Sequence, residues 1–175
     1  MHALMDLGDG VLRFMNMGGE VLWVIAGLLL ILWTLIFERI WFYHSQLKND
    51  VQTALDVWAA RPERRSKRAR HVRERLVSVV SQRVDENRDM IKSLVALAPL
   101  FGLLGTVWGM ISVFDILAIT GGGDIRAMAN GVSRATLPTM AGMVAALSGV
   151  FGNTYVERIA EREKMLLEDH LTLDH

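Results

Sequence analysis

The chain has 175 residues, 51% of them hydrophobic, with 19 Lys/Arg, 19 Asp/Glu and no cysteine. The missing cysteine excludes disulfides, thiolate metal sites and thiol catalysis. The zero net charge hides a segregation: Val21–Phe37, Ser93–Phe114 and Ala135–Val156 contain no Asp, Glu, Lys or Arg, over 17, 22 and 22 residues. About 20 apolar residues cross a bilayer as a helix. Nothing alternates like a barrel strand, so helices must satisfy the backbone in lipid. The expected fold is an all-α membrane protein with three transmembrane helices.

In chain order, residues 1–20 read as a periplasmic amphipathic helix. Leu4, Leu7, Val11 and Phe14/Met15 share one face, which suits a helix lying on the interface. Gly18-Gly19 then lets the chain turn. Residues 21–42 form transmembrane helix 1. Asp6, Asp9, Arg13 and Glu20 precede it and Glu38-Arg39 follow it, unlike the basic start and small-residue cleavage site of a signal peptide. Its Trp23, Trp33, Phe37, Trp41 and Phe42, with a single Gly27, read as a lipid-facing helix with interfacial aromatic anchors, and Leu29 is placed on that lipid-facing surface.

Residues 43–92 form a basic helical cytoplasmic region. Leu47, Val51, Ala54/Leu55 and Trp58 share a face, and Pro62 ends that helix. The arginine-rich stretch 61–75 reads as a solvated face drawn to anionic membrane lipids. It lacks the aromatic interleaving of a nucleic-acid site. From about Glu63 the helical spacing runs without Gly or Pro to Pro99, predicting one long helix that continues through transmembrane helix 2, residues 93–114. A short periplasmic connection, 115–134, leads to transmembrane helix 3, residues 135–156. Val156, Ile159/Ala160, Glu163 and Leu166/Leu167 stay in phase, so the tail 157–175 is expected to be a cytoplasmic helix. With the N-terminus outside, the inner segments hold 16 Lys/Arg and the outer ones 3. The positive-inside rule therefore places the N-terminus in the periplasm and the C-terminus in the cytoplasm.

The second and third spans carry rows of small residues at steps of three and four: Ala98, Gly102, Gly105, Gly109 and Ser112, then Ala135, Thr139, Gly142, Ala146, Gly149 and Asn153. Such stripes let membrane helices approach closely. Three spans in one chain are too few to use all of this surface, which points to an oligomer. Thr106, Thr136, Thr139, Ser148 and Asn153 are polar at membrane depth. Each suits either a hydroxyl or amide bonded within the helix packing or the wall of a hydrated path. No Asp, Glu or His lies in spans two or three, so a proton relay, which needs an ionisable group at that depth, must take its carboxylate from another polypeptide. The five histidines are scattered and form no metal-ligand spacing. No nucleophile–base pair is present. No metal, cofactor or catalytic residue is expected, and the chain does not read as an enzyme.

Leu97–Met110, LAPLFGLLGTVWGM, and Gly131–Leu147, GVSRATLPTMAGMVAAL, resemble the second- and third-span signatures of the ExbB/TolQ family, relatives of the flagellar stator protein MotA. Among its members the short length is most like the small ExbB of accessory TonB systems. The resemblance implies a homo-oligomeric inner-membrane ring, a pentamer, around single-span ExbD-like partners whose Asp carries protons. It further implies that proton flow through the ring energises TonB-dependent outer-membrane transport. It implies that Thr106 and Thr139 line the pore; Gly102, Gly105, Gly109, Gly142, Ala146 and Gly149, on the small-residue stripes, are the expected helix-packing positions. Where many members carry Glu, this sequence has Arg134, expected at the pore mouth. A TolQ-like role in envelope maintenance and a non-conducting membrane scaffold are the alternative readings.

Overall fold

The computed structural model describes residues 2–60, 67–121 and 125–170. Among the described residues five helices follow in order: α1 His2–Met17, α2 Gly19–Ala59, α3 Lys67–Asp85, α4 Arg88–Thr120 and α5 Ile125–His170. No strand occurs among the described residues, as the all-α expectation requires. Three helical stretches are long and apolar enough to cross a membrane, with mean hydropathies of 2.4, 2.0 and 1.4. The expected helix stop at Pro62, the helix start near Glu63, and Arg61, Arg64 and Arg65 lie outside the described residues, as do the last five residues of the tail.

The turn between α1 and α2 is made by glycine. Gly19 has φ +74°, a left-handed conformation that a Cβ disfavours. Beyond it α2 continues without interruption to Ala59, so the amphipathic stretch after residue 45 is part of the same helix as the first span. At 1.5 Å per residue its 41 residues measure about 60 Å, twice a hydrocarbon core. By the same measure the 46 residues of α5 reach about 69 Å.

The long helix expected to run into the second span is two helices, α3 and α4, separated by a turn at Glu86–Asn87. Asn87 has φ +62°, and Asn is among the few residues that enter this region readily. Side chains of α2 receive the carbonyls that the break leaves open. Arg39 Nη1 donates to Arg83 O at 3.0 Å and the Tyr43 hydroxyl to Val84 O at 2.9 Å. Helical periodicity persists through a single left-handed residue, which is why the sequence pattern conceals the break.

The residues group into two compact units, up to Leu32 with Ser93–Val150, and Trp33–Lys92 with Phe151 onward. In the first unit Ile25, Leu28, Ala98 and Ala145 form a buried cluster, with Val21, Leu29, Phe101 and Ala146 packed on it. The first span is therefore not simply lipid-facing. Leu22, Ile25, Leu28 and Leu32 make a buried stripe along α2, while Trp23, Val24, Leu30 and Ile31 face outward. Leu29, expected on the lipid side, packs on the core.

The small-residue rows of α4 and α5 face each other. A Cβ built on Gly102 would lie 3.0 Å from Pro138 O and Thr139 Cα, one on Gly142 would lie 2.6 Å from Ala98 O, and one on Gly109 would lie 2.7 Å from Ala135 Cα. Gly105 receives the Pro138 ring, and Gly149 faces Leu32 and Val95. The surface from which an oligomer was inferred is thus occupied inside one chain, and the small residues no longer carry that inference.

In the second unit Ile36, Leu47, Ala54 and Trp58 of α2, Val80 and Val84 of α3, Ile91 of α4, and Val156, Ala160 and Leu167 of α5 are buried. A Cβ on Gly152 would meet Ile36 Cδ1 at 2.6 Å.

Candidate functional site

The close α4–α5 approach brings three polar groups together. Thr139 Oγ1 of α5 donates to Gly102 O of α4 at 3.1 Å. Thr106 Oγ1, one turn along α4, lies 3.3 Å from the same carbonyl. The two hydroxyls are also hydrogen-bonded to each other. Both threonines are half-buried. They can meet because Gly102 and Gly142 carry no side chain to hold the helices apart. Thr136 and Ser148 bond to the backbone of their own helix, at Ser133 O and Ala145 O.

The proton count of this trio limits its chemistry. Two hydroxyls supply two protons. One is given to Gly102 O and one bridges the hydroxyls. What remains is acceptor capacity on the hydroxyl oxygens. As it stands, the trio can receive a hydrogen bond from a water or a protonated carboxyl. To donate to an ionised carboxylate, a hydroxyl must rotate and surrender a bond that ties α4 to α5.

Arg134 does not join the threonines. It lines a cleft of about 570 Å³ whose polar wall also includes Asn16, Glu20, Ser112 and Asn130, and whose floor is Gly105, Gly109, Ala135 and Pro138. In the sequence Glu20 is only a charge preceding the first span. Its place in this cleft depends on the Gly18-Gly19 turn.

A charged cluster that the sequence reading missed lies in the second unit. Arg88, buried, bonds through Nη1 to Asp85 and through Nη2 to Glu157 at 3.0 Å. Lys92 Nζ also reaches Glu157 at 3.0 Å, and Lys164 bonds to Asp85. The Lys92 hydrogen bond is the main influence holding the Glu157 carboxyl below its ordinary value of 4.5. At Asp85 burial pushes upward, but hydrogen bonds from Lys164 and Arg88 outweigh it and the carboxyl falls below 3.8. The i,i+4 spacing of Arg88 and Lys92 was visible in the sequence, but their shared acceptor lies far along the chain.

A profile described as the MotA/TolQ/ExbB proton channel family matches residues 42–169, most of the chain. The chain belongs to that family. A putative biopolymer transport protein ExbB-like 1 of Synechocystis sp. is 30% identical over 162 residues, covering 74% of this chain and 64% of that protein. The biopolymer transport protein ExbB of Salmonella typhimurium is 30% identical over 108 residues, 61% of this chain and 44% of the relative. That of Pseudomonas putida is 33% identical over 88 residues, 50% of this chain and 27% of the relative. The chain spans about half the length of the curated relatives it matches. Membership of the MotA/TolQ/ExbB family, with three helices able to cross a bilayer, makes this a multi-pass membrane protein of a proton channel family rather than of a family of enzymes.

Proposed function

We propose that the chain is an ExbB-like, ring-forming subunit of a proton-driven inner-membrane motor. In this reading it works with an ExbD-like partner that supplies the titrating Asp, and with a TonB-like protein that carries the motion to outer-membrane transport. The lysine and arginine distribution supports a periplasmic N-terminus and a cytoplasmic C-terminus. The observation that carries the reading is the Thr106–Thr139–Gly102 trio, a polar cluster at membrane depth in spans that contain no carboxylate of their own. Its acceptor capacity suits the protonated form of a visiting carboxyl. The ionised form would break the hydroxyl bridge, so protonation of the partner is coupled to the α4–α5 contact.

The test is proton flux in vesicles holding the chain and its ExbD-type partner under an imposed pH gradient. Thr139→Val and Thr106→Val keep side-chain shape and remove the hydroxyl. Each is expected to lower flux by about tenfold or more while assembly persists, the order expected when a polar partner is lost in a low-dielectric site. Thr139→Ser restores the hydroxyl and should recover most of it. Normal flux in both Val variants refutes the role of the trio. Flux that is equally absent with the partner's Asp intact and replaced favours the scaffold reading.

A further inference from the structure

The cleft that holds Arg134 contains two opposite charges that do not satisfy each other. Glu20, in the first turn of α2, and Arg134, on α5, both line it. Both side chains are exposed, and neither forms an ion pair among the described residues. Their positions in the chain fix their depth. Glu20 immediately precedes the charge-free run that begins at Val21, and Arg134 immediately precedes the one that begins at Ala135. Both therefore stand where a span leaves the hydrocarbon, at the level of lipid headgroups.

We propose that this cleft binds the headgroup of a zwitterionic aminophospholipid of the phosphatidylethanolamine type. A ligand with one charge would pair with one side chain and leave the other without a partner in the same cleft. A headgroup with a phosphate and a primary ammonium two carbons apart offers both complements at once. The Arg134 guanidinium matches phosphate oxygens in a bidentate manner. The Glu20 carboxylate accepts from the ammonium N–H groups. Asn16 and Asn130 line the same space and supply amide donors for the remaining phosphate and ester oxygens. Trp108, also in the lining, is the kind of amphipathic ring that settles at the membrane–water boundary. The volume, about 570 Å³, falls within the range of small-molecule sites.

The same geometry predicts selectivity. A choline headgroup keeps the positive charge but has no N–H to give Glu20. A glycerol headgroup keeps the phosphate but has no cation. The Gly18-Gly19 turn is part of the same wall, and Gly19 at φ +74° is what delivers Glu20 to it.

Native mass spectrometry of the delipidated full-length protein, titrated with phosphatidylethanolamine, phosphatidylcholine and phosphatidylglycerol of matched acyl chains, tests this. The wild type should retain the ethanolamine lipid about tenfold better than either of the others. Arg134→Gln should lose retention of both the ethanolamine and glycerol lipids, and Arg134→Lys, which keeps the charge, should recover part of it. Glu20→Gln should bring the ethanolamine lipid down to the level of the glycerol lipid without reducing the latter. Far-UV helicity confirms that these exposed substitutions leave the fold intact. Equal retention of all three lipids, preference for the anionic lipid, no retention of any lipid, or an undiminished ethanolamine preference in Glu20→Gln overturns the proposal.

Discussion

Gly142→Ala is the sharpest test of the α4–α5 seam. The new Cβ would lie 2.6 Å from Ala98 O and 3.0 Å from Gly102 Cα. A carbon usually approaches a carbonyl oxygen no closer than about 3.3 Å. Both obstacles are backbone atoms, so no side chain can swing aside, and the helices must separate by about 0.7 Å. If that shift is directed along the Thr139–Gly102 hydrogen bond, now 3.1 Å, it stretches the contact to about 3.8 Å, beyond bonding range. Overpacking of this sort costs about 1–3 kcal/mol, and an interhelical hydrogen bond in a membrane protein is worth about 0.6 kcal/mol. Alanine's better helix propensity returns up to about 1 kcal/mol. The balance is a loss of about 0.5–2.5 kcal/mol. Gly27→Ala is the control, because nothing lies within 4 Å of a Cβ there and only the propensity gain remains. Thermal unfolding in one detergent, followed by tryptophan fluorescence, should place Gly142→Ala below wild type and Gly27→Ala at or above it. Equal melting of the two variants would refute the backbone-to-backbone seam.

Asn87→Gly should unfold like wild type, whereas Asn87→Val should lose about 1–2 kcal/mol because a β-branched residue resists φ near +60°; equal stability of the two in thermal melts contradicts the left-handed break. Tyr43→Phe leaves Val84 O without its donor in a buried setting and should cost about 1–2 kcal/mol, measured the same way, while an unchanged melt removes Tyr43 from the capping of α3. The folded-state values of Asp85 and Glu157 lie below their ordinary ones of 3.8 and 4.5, so their ion pairs stabilise the fold fully above those pH values and are lost as pH falls through the lower folded values. Melting temperature should drop below about pH 4, and Asp85→Asn with Glu157→Gln should flatten that drop; an identical acid profile in the double variant places its origin elsewhere.

The candidate site divides between what the pattern displays and what it hides. Thr106 and Thr139 stand out in the sequence because a hydroxyl among Gly, Ala and Leu at membrane depth is costly without a partner. Which partner each finds is not visible there, since the shared acceptor is the Gly102 backbone carbonyl and backbone groups have no sequence signature. Arg134 stood out for its charge. Its location in a cleft with Glu20 depends on a glycine turn more than a hundred residues away. The small residues point to close packing but not to its partner, because a stripe of glycines fits a helix of the same chain as well as that of another.

The three spans, the all-α class and the family are legible in the amino-acid order. Each of these follows from local quantities: run length against bilayer thickness, the absence of charge, and short motifs read along the chain. Packing set the rest: α2 is one helix from Gly19 to Ala59, Asn87 divides α3 from α4, and the α4 and α5 glycines face each other. It also decided that Arg88 and Lys92 share Glu157. These depend on contacts between residues far apart in the chain, where a single left-handed backbone angle or a missing Cβ selects the partner, and hydropathy is blind to both.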